Sequence, residues 1–211
     1  MRTLGLVIAM MFVLSVSCFA TTATIDLYAT VSFISLPNIA NDPSPKAVFG
    51  AAADYELMKW SPETQSFIVY DPDKPGDFGN CMIGEGYIIR GTAGTVISYN
   101  ATPDSAMDMF ISLPGYGRGI GGRHLIGCPF AHPIKVSGTS SNIIFTNGCY
   151  QKTWAEAVAA GWVGPAMTFF TGAGYDEIRC DGSGEATQLQ PGKAYWIETH
   201  VDSLAMLIQP N

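Results

Sequence analysis

The chain has 211 residues, of which 47% are hydrophobic and 14% are charged, and it includes 13 prolines and 23 glycines. This apolar content supplies enough buried surface to offset chain entropy, which argues against disorder as the whole description of the protein. The formal net charge of −7 argues against nucleic acid and anionic membrane surfaces as partners. The composition is compatible with a secreted protein, but it names no reaction.

Residues 1–20 have the organisation of a secretory signal peptide. Arg2 precedes an apolar run at positions 4–16, and the small-residue site Cys18-Phe19-Ala20 follows. The run of about 13 residues is shorter than the roughly 20 that span a bilayer. We therefore expect cleavage after Ala20 and a secreted protein, extracellular or at the cell surface, with no membrane span. The alternatives are a lipid anchor at Cys18 and a pilin-like stem, although the run lacks the acidic residue of a pilin.

The segment after the signal peptide predicts a long strand over residues 23–36. Its apolar side chains alternate with period two, at Ile25, Leu27, Ala29, Val31 and Phe33. Such a strand needs a partner on at least one face. It either pairs within its own chain or completes the sheet of a neighbouring subunit, as in donor-strand complementation. Both alternatives are open at this point.

Proline and glycine turn signals recur along the chain with the spacing typical of antiparallel sheets. In one of these turns, Asp71, Asp73 and Asp77 resemble the opening of a calcium-binding loop. Pro75 takes a usual ligand position, and Met82, which cannot bind calcium, stands at the twelfth position of the loop. We therefore favour a solvated turn and expect no metal or other cofactor.

An internal repeat divides the chain into two halves. Residues 33–37 (FISLP) match residues 125–129 (LIGCP), and residues 84–89 (GEGYII) match residues 192–197 (GKAYWI) in the same order. The match also pairs Phe67 with Tyr175 and Val96 with Leu204. We predict a first β module at residues 21–106 and a second at residues 107–211.

Each half reads as an antiparallel β module, so the predicted fold class is all-β and sandwich-like. The equivalent glycine–tyrosine segments, Gly84 to Tyr87 and Gly192 to Tyr195, lead into apolar runs that are followed by a turn and a second apolar run. This pattern is typical of a β-hairpin. We expect the two tyrosines at equivalent hairpin positions.

One short helix is predicted in the second half. Thr153 and Glu156 have the spacing of a capping box, residues 155–160 favour a helix, and Gly161 is placed to end it. Because a helix this short is not stable alone, Trp154, Val158 and Trp162 are expected to pack it against a sheet.

Four cysteines remain after the predicted cleavage: Cys81, Cys128, Cys149 and Cys180. An even number in an exported chain favours disulfides. Three pairings are possible; we lean toward Cys128 with Cys149 and Cys81 with Cys180. Zinc is disfavoured because the sequence has no C-x-x-C or H-x-x-x-H spacing.

The second half resembles a module repeated in uncharacterised secreted bacterial proteins. The resemblance is carried by residues 128–130 (CPF), the stretch from Asn147 to Val163, residues 189–196 (LQPGKAYW) and residues 204–210. Those modules typically show an "LIGNPF" start, an "AxxxGWI" helix and a "GYW" hairpin. This chain departs from them at Ala194, where Gly is usual, and at Ile88, where Trp is usual. The resemblance implies secretion and a duplicated β architecture, and it implies no activity.

The sequence contains no constellation that indicates an enzyme, because no G-x-S-x-G, H-E-x-x-H or Cys/His nucleophile pattern is present. We expect an extracellular structural protein that self-assembles into a homopolymeric filament or surface layer through its N-terminal segment. The alternative is a secreted glycan-binding or adhesion module. Its candidate stacking residues are Trp60, Tyr70, Tyr87, Trp162 and Trp196.

Overall fold

The computed structural model describes residues 21–54, 56–104, 106–138 and 141–210. Over these residues the fold is all-β and sandwich-like, with antiparallel sheets and short helices. The prediction of the all-β class is confirmed. The predicted signal peptide, residues 1–20, lies outside the described residues.

Over the described residues the first half contains six strands and short helical segments. The strands are β1 (Thr21–Asp26), β2 (Val31–Ser35), β3 (Glu56–Ser61), β4 (Ser66–Val69), β5 (Gly86–Arg90) and β6 (Val96–Ala101). The α-helices are α1 (Pro45–Phe49), which a 3-10 helix (Gly50–Asp54) extends, and α2 (Pro75–Phe78). Each α-helix carries proline in its first turn, where the missing N–H is tolerated.

Within its described residues the second half contains ten strands and one α-helix. The strands are β7 (Met109–Leu113), β8 (Arg123–Gly127), β9 (Ile134–Lys135), β10 (Ile143–Thr146), β11 (Gln151–Thr153), β12 (Val163–Phe170), β13 (Tyr175–Arg179), β14 (Gln188–Leu189), β15 (Ala194–Thr199) and β16 (Leu204–Ile208). The helix is α3 (Trp154–Ala159).

The two halves each contain a four-stranded sheet with the same order of strands. The first has the order β2-β5-β3-β4 and the second has the order β8-β15-β12-β13. The outer sheet of the first half is the pair β1-β6, and that of the second half is β11-β10-β16-β7. In each half the strand that carries the repeated tyrosine, β5 or β15, therefore lies inside a sheet.

Three apolar clusters hold these layers together. One cluster fills the first half, around Leu57, Tyr87 and Ile89, and another fills the second half. A third is centred on Phe33, Ile88, Leu125 and Ala194 and takes residues from both halves. Because successive side chains of a strand point to opposite faces, the four-stranded sheets pack on their own core with one face and meet each other with the other.

The predicted continuous strand over residues 23–36 is wrong, because the chain turns between β1 and β2. The Ser32 hydroxyl donates to the Ala29 carbonyl at 2.9 Å and accepts the Ala29 N–H at 3.1 Å, which closes a tight turn. After the turn, the odd-numbered side chains no longer point into the same core. Ile25 and Leu27 are buried in the first core, whereas Phe33 lies in the cluster between the halves.

The predicted hairpins at Tyr87 and Tyr195 are also wrong. β5 pairs with β2 and β3, whereas β6 pairs with β1 in the other sheet. In the second half β15 and β16 likewise belong to different sheets. Each connection crosses from one layer of its sandwich to the other, a difference that local turn residues do not encode.

The predicted helix in the second half is confirmed as α3. The Thr153 side chain accepts the N–H of Glu156, and the Glu156 carboxylate accepts the N–H of Thr153, so the capping box forms. Trp154 is buried against the second core and donates its indole N–H to the Gly164 carbonyl at 3.0 Å. Val158 and Trp162 pack on the same core.

The predicted disulfides are not present among the described residues. Cys81 is buried in the first core and Cys128 in the second, whereas Cys149 is exposed and Cys180 is partly exposed. A disulfide requires the two sulfur atoms to meet within a narrow geometry, and these four thiols occupy different surroundings. All four are free. No helix in the described part of the chain is long and apolar enough to cross a membrane.

Candidate functional site

The two halves meet through a pair of equivalent backbone hydrogen bonds. The N–H of Ser35 donates to the carbonyl of Gly192 at 3.1 Å, and the N–H of Gly127 donates to the carbonyl of Gly84 at 2.9 Å. In the sequence repeat Ser35 corresponds to Gly127, and Gly84 corresponds to Gly192. The contact is therefore reciprocal, as in an isologous interface between two identical subunits.

Residues on the approximate two-fold axis of this interface face their own repeat counterparts. A Cβ atom built on Gly127 would overlap the Cβ of Ser35, and one built on Gly86 would lie 2.8 Å from the Cβ of Ala194. Each pair thus has space for one Cβ atom only. Glycine at one member of each pair is a steric requirement for the close approach of the two sheets.

The repeated tyrosines flank this interface from inside each half. Tyr87 pairs in register with Ile34, and Tyr195 pairs with Ile126, the repeat counterpart of Ile34. Both rings are buried. Burial, and next the nearby Glu85 carboxylate, raise the pKa of Tyr87 well above its ordinary value. Burial likewise raises the pKa of Tyr195. Both tyrosines are therefore structural residues, because their buried rings are not accessible to a ligand.

An open groove of about 700 Å³ lies where the two four-stranded sheets face each other. We call it the aromatic groove, and its walls contain Phe33, Phe67, Phe170, Tyr175, Trp196 and Arg123. Phe67 is 43% exposed and Tyr175 is 60% exposed, so aromatic surface reaches solvent at both rims.

On the first side of the groove, Phe67 and Trp196 line the wall and form a triad of rings with Trp60, which packs against both. The centroid of Trp60 lies 4.9 Å from that of Phe67 and 5.1 Å from that of Trp196, and both contacts are T-shaped. Trp60 and Phe67 are cross-strand partners on β3 and β4, whereas Trp196 comes from β15 in the other half. Edge-to-face contacts of this kind are favourable and hold the rings in place.

The opposite side is a triad of Phe33, Phe170 and Tyr175. Ring centroids are separated by 5.5 Å between Phe33 and Phe170 and by 5.3 Å between Phe170 and Tyr175. Phe170 and Tyr175 are cross-strand partners on β12 and β13, and Phe33 comes from β2 of the first half. Each triad therefore combines two rings of one half with one ring of the other.

Arg123 is the charged residue among those that line the groove in the described part of the chain. Its guanidinium lies over the Trp196 ring, 5.2 Å from the centroid, in a cation–π contact. The turn between β3 and β4 holds its backbone. The Gln65 side-chain carbonyl accepts the Arg123 N–H at 2.9 Å, and the Trp60 indole N–H donates to the Arg123 carbonyl at 2.7 Å.

A smaller cleft of about 310 Å³ lies beside the first triad and includes His124. One ring nitrogen of His124 contacts the Thr199 hydroxyl at 3.1 Å, while Nδ1 is buried without a partner among the described groups. Burial lowers the pKa of His124 to about 4, and the Glu63 carboxylate opposes this shift. His124 is therefore a neutral imidazole at pH 7.

The aromatic residues chosen from the sequence divide into two groups. Trp196 lines the groove and Trp60 packs against it, whereas Tyr70 and Tyr87 are buried in the first core and are closed to a ligand. Trp162 packs on the second core, with the Lys152 ammonium over its ring at 5.2 Å. Sequence reasoning did not assign Phe33, Phe170 or Arg123 to a ligand site, because their proximity depends on contacts between the two halves.

Of the residues predicted from the calcium-loop pattern, Asp71 and Asp73 lie in an exposed turn and Asp77 lies in α2. Asp71, Asp73 and Asp77 are exposed, and the Asp71 carboxylate accepts the N–H of Asp73 at 2.9 Å. No group of three or more His, Cys, Asp or Glu side chains in the described residues is arranged to hold a metal ion. The turn leads directly into α2, which begins at Pro75.

The N-terminal residues predicted to cross into a neighbour have partners in their own chain. β1 pairs with β6 over its whole length, and β2 pairs with β5. Ile25, Leu27 and Phe33 are buried, and Ala29 and Val31 are half-buried. The outer edge of β1 borders an open cleft of about 520 Å³.

No family model, curated protein or solved structure matches this chain. The resemblance to a secreted bacterial module therefore stays a prediction, and the function is argued from the geometry of the groove.

Proposed function

We propose that this chain is an exported glycan-binding protein in which two tandem β modules, residues 21–106 and 107–211, together form the aromatic groove. The observation that carries the proposal is the mixed origin of the two aromatic triads. Trp196 completes the triad of the first half and Phe33 completes that of the second. The association of the halves thus creates a binding surface that neither half has alone.

The shape and chemistry of the groove favour a sugar chain over a lipid. Sugar rings place a C–H face against aromatic rings while their hydroxyl groups stay in water, which suits an open groove with aromatic rims. A fatty chain in the same open groove would keep much of its surface in contact with water. The groove volume of about 700 Å³ lies in the range of ligand sites in proteins.

Binding of the full chain to a panel of neutral and acidic oligosaccharides tests the proposal. Phe67→Ala and Tyr175→Ala should each weaken binding about tenfold, because each removes a stacking ring. The matched control is Tyr150→Ala, which removes a 68% exposed ring outside the groove and should leave affinity unchanged. Failure to bind any glycan in the panel would reject the proposal.

A second candidate function, self-assembly into an extracellular filament or surface layer, rests on the open edge of β1. This strand has one strand partner, β6, within the described residues. An unpaired strand edge can accept a strand from another chain, and head-to-tail exchange of that kind generates open fibres. In such an assembly β1 of one copy would pair through its open edge with a strand of the next copy.

Light scattering of the mature protein over a range of concentrations tests this second function. Deleting residues 23–32 should abolish assembly and leave a subunit that binds a peptide of the deleted sequence. A full-length protein that stays monomeric at high concentration would exclude the filament and leave the groove as the functional surface.

A further inference from the structure

We propose that the glycan held in the aromatic groove is acidic and that the Arg123 guanidinium contacts its carboxylate; this inference rests on the proposed glycan-binding function. Arg123 brings five N–H donors into a groove otherwise lined by uncharged side chains, of which Phe33, Phe170 and Trp196 are aromatic. A planar guanidinium matches a carboxylate through two parallel hydrogen bonds. A uronic acid residue offers such a carboxylate next to a sugar ring that can stack.

Arg123 differs from the other arginines on the strands that border the groove. Arg90 forms an ion pair with Glu56 at 3.0 Å, and Arg179 forms one with Glu177 at 2.9 Å. Among the described residues Arg123 forms no ion pair, and its guanidinium is instead placed over the Trp196 ring. The stacked guanidinium keeps its donor groups available to a ligand.

The position of Arg123 is set by the first half, although the residue belongs to the second. The side chains of Gln65 and Trp60 both form hydrogen bonds with the Arg123 backbone. These bonds fix the position of Arg123 on β8 at the groove. Its repeat counterpart Val31 also lines the groove and is apolar. Arg123 is therefore the charged side chain of the groove wall in the described part of the chain, and the acidic group of a bound chain is expected beside it.

Glu198 carries a charge that opposes this inference. It is exposed and pairs directly with Arg123 in the register of β15 and β8, so the two side chains lie on the same face of the sheet. Its negative charge should weaken the attraction of Arg123 for an anion without abolishing it, because charges at an exposed position are screened. This residue therefore supplies a variant with the opposite expected effect.

The test compares hexamers of galacturonic acid and of mannuronic acid with their methyl esters, measured by calorimetry on the full chain. Methyl esterification removes the charge and retains the sugar chain. At least one free acid should bind at least about tenfold more tightly than its ester, the magnitude of a charge-assisted hydrogen bond. The preference should decrease as the salt concentration is raised.

Variants assign the preference to Arg123. Arg123→Gln should remove the difference between acid and ester, and Arg123→Lys should retain part of it. Glu198→Gln should strengthen binding of the acid about two- to threefold. Arg90→Gln is the matched control, because Arg90 is paired with Glu56, and it should leave the preference unchanged. Thermal unfolding checks that each variant is folded.

Three results would overturn the inference, and two of them leave the proposed function intact. Equal affinity for acid and ester, or binding of neutral oligosaccharides only, would show that the groove binds glycans without selecting for their charge. An acid preference that persists in Arg123→Gln would place the carboxylate elsewhere. Absence of binding to every oligosaccharide would reject the glycan-binding function together with this inference.

Discussion

The hydroxyl groups of Tyr87 and Tyr195 make the same hydrogen bond. Each accepts the backbone N–H of the residue five positions earlier, Met82 at 2.6 Å and Gln190 at 2.7 Å. Each tyrosine thereby ties the chain before its strand to the core of its own half. Because the glycines that follow Met82 and Gln190 form the interface between the halves, these bonds also hold the two sheets at their meeting point.

Replacing either tyrosine by phenylalanine should destabilise the protein by about 1–3 kcal/mol, since the backbone N–H loses its partner. Tyr87→Phe should have the larger effect, because the Tyr87 hydroxyl also donates to the Glu85 carboxylate at 2.7 Å. Urea unfolding measures the change. Tyr150→Phe, at a 68% exposed position, is the control. Unchanged stability in both core variants would show that these hydrogen bonds contribute nothing.

Adding a methyl group at Gly127 should destabilise the interface between the halves. Its Cβ would overlap the side chain of Ser35, so Gly127→Ala should lower the free energy of unfolding by about 1–3 kcal/mol. Ser35→Gly in the same chain should restore part of the loss, although it removes the hydrogen bond from Ser35 to the Lys193 carbonyl. Gly76→Ala, with open space around it, is the control.

A double variant no more stable than Gly127→Ala alone would contradict this account of the interface. The comparison is a double-mutant cycle, so it measures the coupling of Ser35 and Gly127 directly.

Protonation of His124 should make stability depend on pH below neutrality. Its pKa is about 4 in the folded protein and about 6.5 when unfolded, so the unfolded chain binds more protons between these values. The free energy of unfolding should therefore fall by about 3 kcal/mol as pH decreases from 6.5 to 4. Urea unfolding at several pH values measures this.

In His124→Gln the dependence on pH should be shallower across the same interval, whereas His200→Gln, at an exposed position, should retain it. An identical pH profile in the protein and in His124→Gln would exclude His124 as its source.

Loss of the helix cap should have a small and local effect. Thr153→Ala removes both side-chain contacts with Glu156 and should lower the free energy of unfolding by about 1 kcal/mol. Thr92→Ala, in an exposed loop, is the matched control. An unchanged denaturation midpoint for Thr153→Ala would show that the cap does not stabilise α3.

The four thiols should differ widely in reactivity. Burial raises the pKa of Cys81 and of Cys128 to about 12, so neither forms a thiolate near neutral pH in the folded protein. Cys149 is exposed and should be the first to react with iodoacetamide, followed by Cys180. Mass spectrometry of the alkylated peptides gives the order, and urea should make all four reactive. A disulfide in the native protein would contradict this prediction.

Several features of the structure could be predicted from signals between residues that are close together in the sequence. The capping box of Thr153 and Glu156 depends on residues within one turn of helix, so it was predicted and is present. The density of turn residues and of short β-type runs predicted the all-β class, because these signals also depend only on residues close together in the chain. The internal repeat was visible in the sequence, and its two copies place Ile34 with Tyr87 and Ile126 with Tyr195 in the same register.

One repeat match was displaced by a residue, and the cause is the alternation of strand faces. The sequence paired Val96 with Leu204, but Val96 is 56% exposed and Leu204 is 3% exposed. By burial, the counterpart of Leu204 is Ile97, the residue after Val96, which is 5% exposed. A shift of one residue along a strand exchanges its buried and exposed faces.

The sequence by itself determined the strand-rich composition, the duplication and the capped helix, because each depends on neighbouring residues or on direct comparison of two segments. Only the tertiary structure decided which sheet each strand joins, that the thiols stay apart, and that Trp60 meets Trp196 and Phe33 meets Phe170. Those contacts join residues distant in the chain, and they form because two sheets with glycine at the axis approach closely enough to bury one shared face. The aromatic groove and the place of Arg123 follow from that approach.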